Sequence, residues 1–178
     1  MWRRDIVASL RHERKKTMTT IRPLNNSEYS LLTDFLYYAI FVPEGVEAPP
    51  REIVNLPELQ VYIRDFGAQP HDHCLVAEAE GVVVGAVWVR DMPDYGHVAD
   101  GVPSFAISVR PEHRGSGIGT SLMKAMLDLL CQKGYKKASL SVQKANYAAQ
   151  WYRTLGFEDI GENEEEYIME YNFAASKS

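Results

Sequence analysis

The sequence has little cysteine and no long apolar run, and each absence excludes a class of protein. Cys74 and Cys131 are the only cysteines among the 178 residues. Two cysteines so far apart predict neither a disulfide-rich scaffold nor a zinc cluster, and we expect no bound metal. No apolar stretch approaches the roughly 20 residues that a membrane-spanning helix needs. The N-terminus also lacks the apolar segment of a secretory signal, so we expect a cytoplasmic protein with no membrane partner.

The sequence lacks an excess of basic residues as well. Its formal net charge is −5, with a pI near 5.5, which argues against a nucleic-acid partner. Residues 1–17 carry a net charge of +4, which leaves −9 for the remainder. We interpret residues 1–17 as a basic extension, either a short helix or a disordered arm, and residues 18–178 as one domain. The acidic body favours a cationic or amine substrate.

Strand and helix patterns alternate along the predicted domain. Apolar residues at helical spacing predict helices that begin near Leu31, at Pro57, after Gly117 and at Asn146. The second of these helices is predicted to end near Phe66. The predicted strands are Thr19–Leu24, Cys74–Glu80, Val82–Arg90, Ser104–Val109, Lys137–Val142, Phe157–Gly161 and Tyr167–Phe173. The alternation indicates a mixed α/β sheet in a single domain.

One stretch combines a strand, a glycine-rich loop and a helix. The strand Ser104–Val109 is followed by Arg110-Pro-Glu-His-Arg-Gly-Ser-Gly-Ile-Gly119, and a helical apolar stripe then runs to Gly134. Glycine allows backbone conformations with positive φ and close approach of a ligand. The free N–H groups of a helix N-terminus favour an anion. The stretch therefore predicts a pyrophosphate site, with a glycine turn that serves only packing as the alternative.

Two common phosphate-binding motifs are absent from this loop. A dinucleotide fingerprint needs glycine where Thr120 or Leu122 stands, and a P-loop needs a lysine before Thr120. The spacing Arg114-x-x-Gly117-x-Gly119 directly after a strand instead resembles the coenzyme A pyrophosphate loop of the GNAT acetyltransferase superfamily. A second stretch, Asn146-Tyr-Ala-Ala-Gln-Trp-Tyr-Arg-Thr-Leu-Gly-Phe157, is similar to the downstream motif of the same superfamily.

This resemblance implies a fold and a cofactor site. The fold is a mostly antiparallel twisted sheet flanked by helices, in which two central parallel strands, Ser104–Val109 and Lys137–Val142, splay apart near a bulge. The Val109 backbone would meet the pantetheine of acetyl-CoA, and the Ile107 N–H would point at the thioester carbonyl. The remaining implied cofactor contacts are Arg114, Gly115, Ser116, Gly117, Ile118, Gly119, Thr120, Asn146 and Tyr152.

The resemblance also implies a catalytic acid, but the general base departs from the family pattern. Tyr152 occupies the position of the acid that protonates the departing thiolate, although an aromatic core residue is the alternative. Some family members carry a glutamate or histidine early in the organising strand, where this sequence has Pro103, Ser104 and Phe105. Asp100 and Glu44 are the candidate bases, followed by His97 and a water relay near Ser104.

The sequence leaves several further assignments open. Asn146 contacts the cofactor or caps its helix, or does both. The aromatic residues Tyr37, Tyr38, Phe41, Trp88 and Tyr95 line an acceptor pocket or belong to the core. His71–Cys74 and the acidic run 162–166 are interpreted as turns. The leading function is acetyl-CoA-dependent N-acetylation of a small-molecule or peptide amine by direct transfer, and the alternative is a non-catalytic acyl-CoA sensor. Homodimer formation stays open.

Overall fold

The computed structural model describes residues 18–175, which form one seven-stranded sheet with helices on both faces. The predicted extension 1–17 lies outside the described residues, as do the last three residues of the predicted domain. The strands are β1 (Thr19–Pro23), β2 (His73–Ala79), β3 (Val82–Arg90), β4 (Ser104–Val109), β5 (Lys137–Gln143), β6 (Glu158–Glu162) and β7 (Glu166–Asn172). The helices are α1 (Leu31–Ala39), α2 (Pro57–Gln60), α3 (Ile118–Gln132) and α4 (Ala148–Thr154). Between residues 18 and 175, no helix is long and apolar enough to span a membrane.

The strand order is β1-β2-β3-β4-β5-β7-β6, and the fold matches the predicted class. Every neighbouring pair among the described strands is antiparallel except β4 and β5, which are parallel. A parallel pair needs a crossover connection, and α3 supplies it on one face of the sheet. This crossover places the start of α3 beside the end of β4.

Apolar residues cover both faces of the central strands. From Val83 onward β3 is buried throughout, which fits the continuous apolar run that precedes Arg90. On one face α3 buries Leu122, Met126 and Leu130 completely. On the other face α1 packs Leu32 and Phe35 against the sheet. Two separate apolar clusters therefore hold β4 between α3 and α1.

A buried ion pair ties the irregular segment after α2 to the sheet. Arg90, at the end of β3, donates from Nε and Nη2 to the two carboxylate oxygens of Asp72, each at 3.0 Å. Its Nη1 donates to the backbone carbonyls of Val61 and Arg64. Asp72 also accepts hydrogen bonds from the backbone N–H groups of Gly67 and Gln69. Every charged atom of this buried pair is therefore satisfied.

Two details of the predicted fold were wrong. The helix predicted from Pro57 to Phe66 ends at Gln60 and continues as turns. Its next carbonyls bond to distant side chains, since Val61 and Arg64 accept from Arg90 and Tyr62 accepts from the indole of Trp88. A bulge was also predicted at the strand opening, but the register of β4 against β3 is uninterrupted from Ser104 to Val109.

Candidate active site

A cleft of about 1000 Å³ opens where β4, α3 and α4 meet. This volume lies at the upper end of the range for small-molecule sites, so the cleft can hold a large, elongated ligand. One wall comes from the end of α1 and the loop after it, and the other comes from the start of α4. Its lining includes Tyr38, Ile107, Val109, Arg114, Gly117 and Tyr152.

The parallel strands β4 and β5 separate almost as soon as they meet. Their register contains a single partner pair, Ser104 with Ser139, and the Ser139 N–H donates to the Pro103 carbonyl at 2.9 Å. Beyond that point β4 continues to Val109 beside β3 alone. Ile107 and Val109 line the cleft along this free edge. Unpaired backbone groups at a strand edge can bond to an extended ligand as an added strand would.

The glycine loop lies at the end of this free edge and leads into α3. Gly115 and Gly117 have φ of +74° and +86°, and a Cβ added to either would meet no protein atom within 4 Å. Gly117 precedes the first helical residue, Ile118. Ser116 donates its hydroxyl to the His113 carbonyl at 2.6 Å, which stabilises the turn. The loop therefore leaves open space beside free N–H groups of a long helix, an arrangement that suits phosphate groups.

Two predicted cofactor contacts are also bonded to the protein. Arg114 donates from Nε to the Val109 carbonyl and from Nη2 to the Tyr38 carbonyl, both at 3.1 Å. These bonds tie the glycine loop to the ends of β4 and α1. Thr120 accepts a hydrogen bond from the indole N–H of Trp151 at 3.1 Å, so α3 and α4 are linked across the cleft. Arg114, Trp151 and Thr120 all line the cleft.

Asn146 and its neighbours form the other rim of the cleft. The Asn146 side-chain oxygen accepts a hydrogen bond from the Ala148 N–H at 2.9 Å, so the residue caps α4. Asn146 also lines the cleft. Its contact with the cofactor therefore stays a prediction, in addition to the observed capping hydrogen bond. Tyr147 next to it is 95% exposed.

Tyr152 reaches the cleft from α4 and rests on aromatic neighbours. Its ring centroid lies 4.9 Å from that of Trp151 and 5.7 Å from that of Phe157. Within residues 18–175 its hydroxyl has no hydrogen-bond partner, although the residue lines the cleft. Burial raises the pKa of Tyr152 above its ordinary value. The phenol is therefore a neutral, unengaged proton donor that faces the cleft.

The structure does not bring the two candidate bases to the cleft. Asp100 lies in the connection between β3 and β4, and it lines a separate pocket together with His71, His73 and Tyr135. Its side chain is fully exposed there, with an oxygen 3.7 Å from His97. Glu44 is exposed on the loop after α1, of which Val42, Ala48 and Pro49 line the cleft but Glu44 does not. Asp100 and Glu44 therefore stay predictions that the lining of the cleft does not support.

The aromatic residues proposed for an acceptor pocket divide into two groups. Tyr37, Tyr38 and Phe41 line the cleft, whereas Trp88 is completely buried in the α1-side core and Tyr95 is exposed elsewhere. Sequence reasoning missed Trp151, which lines the cleft and bonds to Thr120. Its place beside Tyr152 within the downstream motif was the available signal.

Comparison with known proteins identifies the family. The acetyltransferase (GNAT) family matches residues 37–157. The chain is 30% identical over 95 residues to a putative ribosomal protein bS18-alanine N-acetyltransferase of Bacillus subtilis, which covers 52% of this chain and 58% of that protein. It is 32% identical over 123 residues to a thialysine N-epsilon-acetyltransferase of Sus scrofa, which covers 62% of this chain and 70% of that protein.

Solved structures show the same fold at lower identity. The ribosomal-protein-S18-alanine N-acetyltransferase of Escherichia coli superposes with a TM-score of 0.62 at 17% identity, covering 88% of this chain and 94% of that one. A PaiA N-acetyltransferase of Thermoplasma acidophilum, solved in complex with coenzyme A, superposes with a TM-score of 0.65 at 18% identity, covering 87% and 99%. The chain belongs to the GNAT acetyltransferase family. It spans little more than half the length of its Bacillus subtilis relative.

Proposed function

We propose that this protein is an acetyl-CoA-dependent N-acetyltransferase that acts on a primary amine of a small molecule or peptide. The observation that carries the proposal is the convergence of three features on one cleft. These are the free edge of β4, the open glycine loop at the start of α3, and the unengaged phenol of Tyr152. Family membership and the named N-acetyltransferase relatives support the same reaction class.

In this proposal acetyl-CoA lies along the cleft with its pyrophosphate at the glycine loop. The loop N–H groups and the α3 dipole stabilise the phosphate charge. The pantetheine arm follows the free edge of β4 near Val109 and brings the thioester to the Ile107 N–H. That N–H stabilises the oxyanion that forms when the amine attacks the carbonyl carbon.

The transfer is direct, with no acetyl group on the protein. Among the described residues, neither cysteine lines the cleft, and burial raises the pKa of the Cys74 thiol in the core. The amine nitrogen bonds to the acetyl carbon and loses one proton, which offsets the proton that the thiolate gains, and the carbon–sulfur bond breaks. Tyr152 then gives its proton to the coenzyme A thiolate.

Cofactor binding and the acid-stopped reaction test the proposal together. Calorimetry is expected to show one coenzyme A per chain. A turnover stopped in acid is expected to give acetylated amine and unmodified protein by mass spectrometry. A stoichiometric acetyl group on a cysteine would contradict direct transfer. Cofactor binding without transfer to any amine would instead favour the alternative function, a non-catalytic acyl-CoA sensor.

The cellular setting stays a proposal as well. Cys74 and Cys131 are both unpaired thiols, which supports a reducing, cytoplasmic location. The acidic net charge supports a cationic acceptor in preference to a nucleic acid.

A further inference from the structure

Among residues 18–175, the lining of the cleft includes no carboxylate that could accept a proton. An aliphatic amine is an ammonium ion at neutral pH and must lose a proton before it can attack. Among the cleft-lining residues, the ionisable side chains are tyrosines, Arg114 and His113. His113 precedes the glycine loop, beyond the end of β4, and so lies at the phosphate end. The base must therefore come from a segment outside this wall.

Asp94 is a carboxylate held against the point where β4 and β5 meet. The Ser104 hydroxyl donates to its Oδ1 at 2.9 Å, and the Tyr62 hydroxyl donates to its Oδ2 at 3.0 Å. Ser104 is the β4 partner in the single β4–β5 pair, so it marks the vertex of the strand opening. The connection between β3 and β4 thus brings a carboxylate to the first residue of a strand that has none of its own.

The next residues of that connection pack tightly against the same vertex. The Gly96 carbonyl accepts a hydrogen bond from the Ser139 hydroxyl at 2.6 Å. A Cβ on Gly96 would lie 2.8 Å from the Ser104 Oγ and 2.9 Å from the Leu140 backbone carbon. Only glycine allows this approach, so the position of Asp94 two residues earlier is fixed by packing.

Asp94 does not itself line the cleft, but it lies on the α1 side of β4, the side from which Ser108 lines the cleft. Ser104, Ala106 and Ser108 alternate onto the α1 side, where Ser104 bonds to Asp94 and Ser108 donates to the Phe35 carbonyl. Ser108 also lines the cleft. Three residues separate Ser104 from Ile107, which corresponds to roughly 10 Å along a strand. A short chain of hydrogen-bonded waters could span that distance and carry a proton from an acceptor amine near Ile107 to Asp94.

The electrostatic surroundings of Asp94 suit a base. It is half-buried and pairs with no cation among the described residues. Arg90, the cross-strand neighbour of Ser104, is committed to Asp72. The remaining ionisable groups near this site are Tyr62, Glu166 of β7, whose charge interacts with that of Asp94, and Tyr95, whose charge interacts with that of Tyr62. Burial raises the pKa of Asp94, which strengthens it as a proton acceptor.

We propose that Asp94, held by Ser104 and Tyr62, accepts the proton of the acceptor ammonium through a short chain of waters. This inference rests on the proposed N-acetyltransferase function. The ammonium loses one proton to the Asp94 carboxylate, which releases it to solvent. The free amine then adds to the acetyl carbon. The second proton lost from nitrogen balances the one that Tyr152 gives to the thiolate, so the products are an amide, coenzyme A and one released proton.

The test compares kcat/KM across pH for the wild type and for Asp94→Asn. Near neutral pH, the kcat/KM of Asp94→Asn is expected to be lower than that of the wild type by about 10²-fold or more. The loss should shrink as pH approaches the pKa of the acceptor amine, near 10, because solvent then supplies the free amine. Asp128→Asn, an exposed carboxylate on α3, is the matched control and should match the wild type.

Tyr62→Phe separates a base from a purely structural carboxylate. The substitution removes one donor to the ionised form of Asp94, so its pKa should rise and the acid limb of kcat/KM should move to higher pH. Unchanged limbs in Tyr62→Phe, or wild-type profiles in Asp94→Asn, would overturn the proposal. A loss of the same size in Asp100→Asn instead would also overturn it. If the wild type binds coenzyme A but acetylates no amine, the proposed function itself fails.

Discussion

At the residue scale, Tyr152 has the two properties that a proton donor to a thiolate needs. Its hydroxyl lines the cleft without a partner among residues 18–175, and burial keeps it neutral well into the alkaline range. The motif around it predicted a residue at the cofactor site, and Tyr152 does line the cleft, while its role as the acid stays a prediction. The same reasoning missed Asp94, because its role depends on a hydrogen bond to Ser104 ten residues away and not on local pattern.

Tyr152→Phe is expected to lower kcat by about 10²-fold while leaving coenzyme A affinity nearly unchanged. The expected loss lies at the lower end of general-acid effects, because a thiol with a pKa near 8.5 is a tolerable leaving group. Because its pKa is raised, ionisation of Tyr152 should cause no alkaline decline of the wild-type rate below about pH 10. Single-turnover rates and calorimetry check both statements. Wild-type turnover in the variant would reduce Tyr152 to a packing residue.

Gly117→Asp is expected to weaken coenzyme A binding at least about tenfold. The new side chain carries a negative charge into the space beside the proposed pyrophosphate and forces a residue with Cβ to adopt positive φ. Gly81→Asp in the β2–β3 turn is the control, since its φ of +77° and open surroundings match those of Gly117. Calorimetry on both folded variants separates the two effects. Equal affinities would remove the glycine loop from the cofactor site.

At the element scale, strong periodicity and turn residues allowed most strands and helices to be predicted. The exceptions share a physical cause, because side chains distant in sequence determine them. The helix after Pro57 ends early since its carbonyls accept hydrogen bonds from Trp88 and Arg90. At the strand opening β4 has no bulge, and Gly96, which is distant in sequence from β5, packs there against Ser104 and Leu140.

Asp72→Asn is expected to lower the free energy of unfolding by about 3–5 kcal/mol. The substitution leaves the Arg90 guanidinium buried without a counter-charge, and Arg90 is only 2% exposed. Asp159→Asn is the matched control, because it breaks a similar bidentate pair with Arg153 at the surface and should cost less than about 1 kcal/mol. Urea unfolding of both variants gives the comparison. Similar decreases in the free energy of unfolding of the two variants would show that burial of the Arg90–Asp72 pair does not increase its contribution to stability.

At the scale of the whole molecule, the two faces of the sheet contribute different parts of the proposed site. The α3 side presents the glycine loop, and the α1 side presents Asp94 and the aromatic wall of Tyr37 and Tyr38. Two motifs in the sequence predicted the first face. The second face is built from loops whose spatial arrangement leaves no pattern in the sequence, so the acceptor could be predicted only as an amine.

A chain that begins at Met18 is expected to fold and turn over as the full chain does. The apolar clusters among residues 18–175 close around the sheet with every buried side-chain nitrogen and oxygen atom hydrogen-bonded. Thermal unfolding and kcat/KM of the two chains check this. A lower melting temperature of the shorter chain would assign residues 1–17 to the core or to an interface.

The central claim is that this cleft transfers acetyl groups from coenzyme A to an amine, and one measurement tests it most directly. Thiol release from acetyl-CoA is followed with a panel of polyamines, lysine analogues and peptides with free amino termini, and the products are weighed by mass spectrometry. We predict release that depends on one class of amine, with one N-acetylated product per thiol. Thiol release at the same rate with and without every amine, or none at all in a protein that binds coenzyme A, would contradict the account.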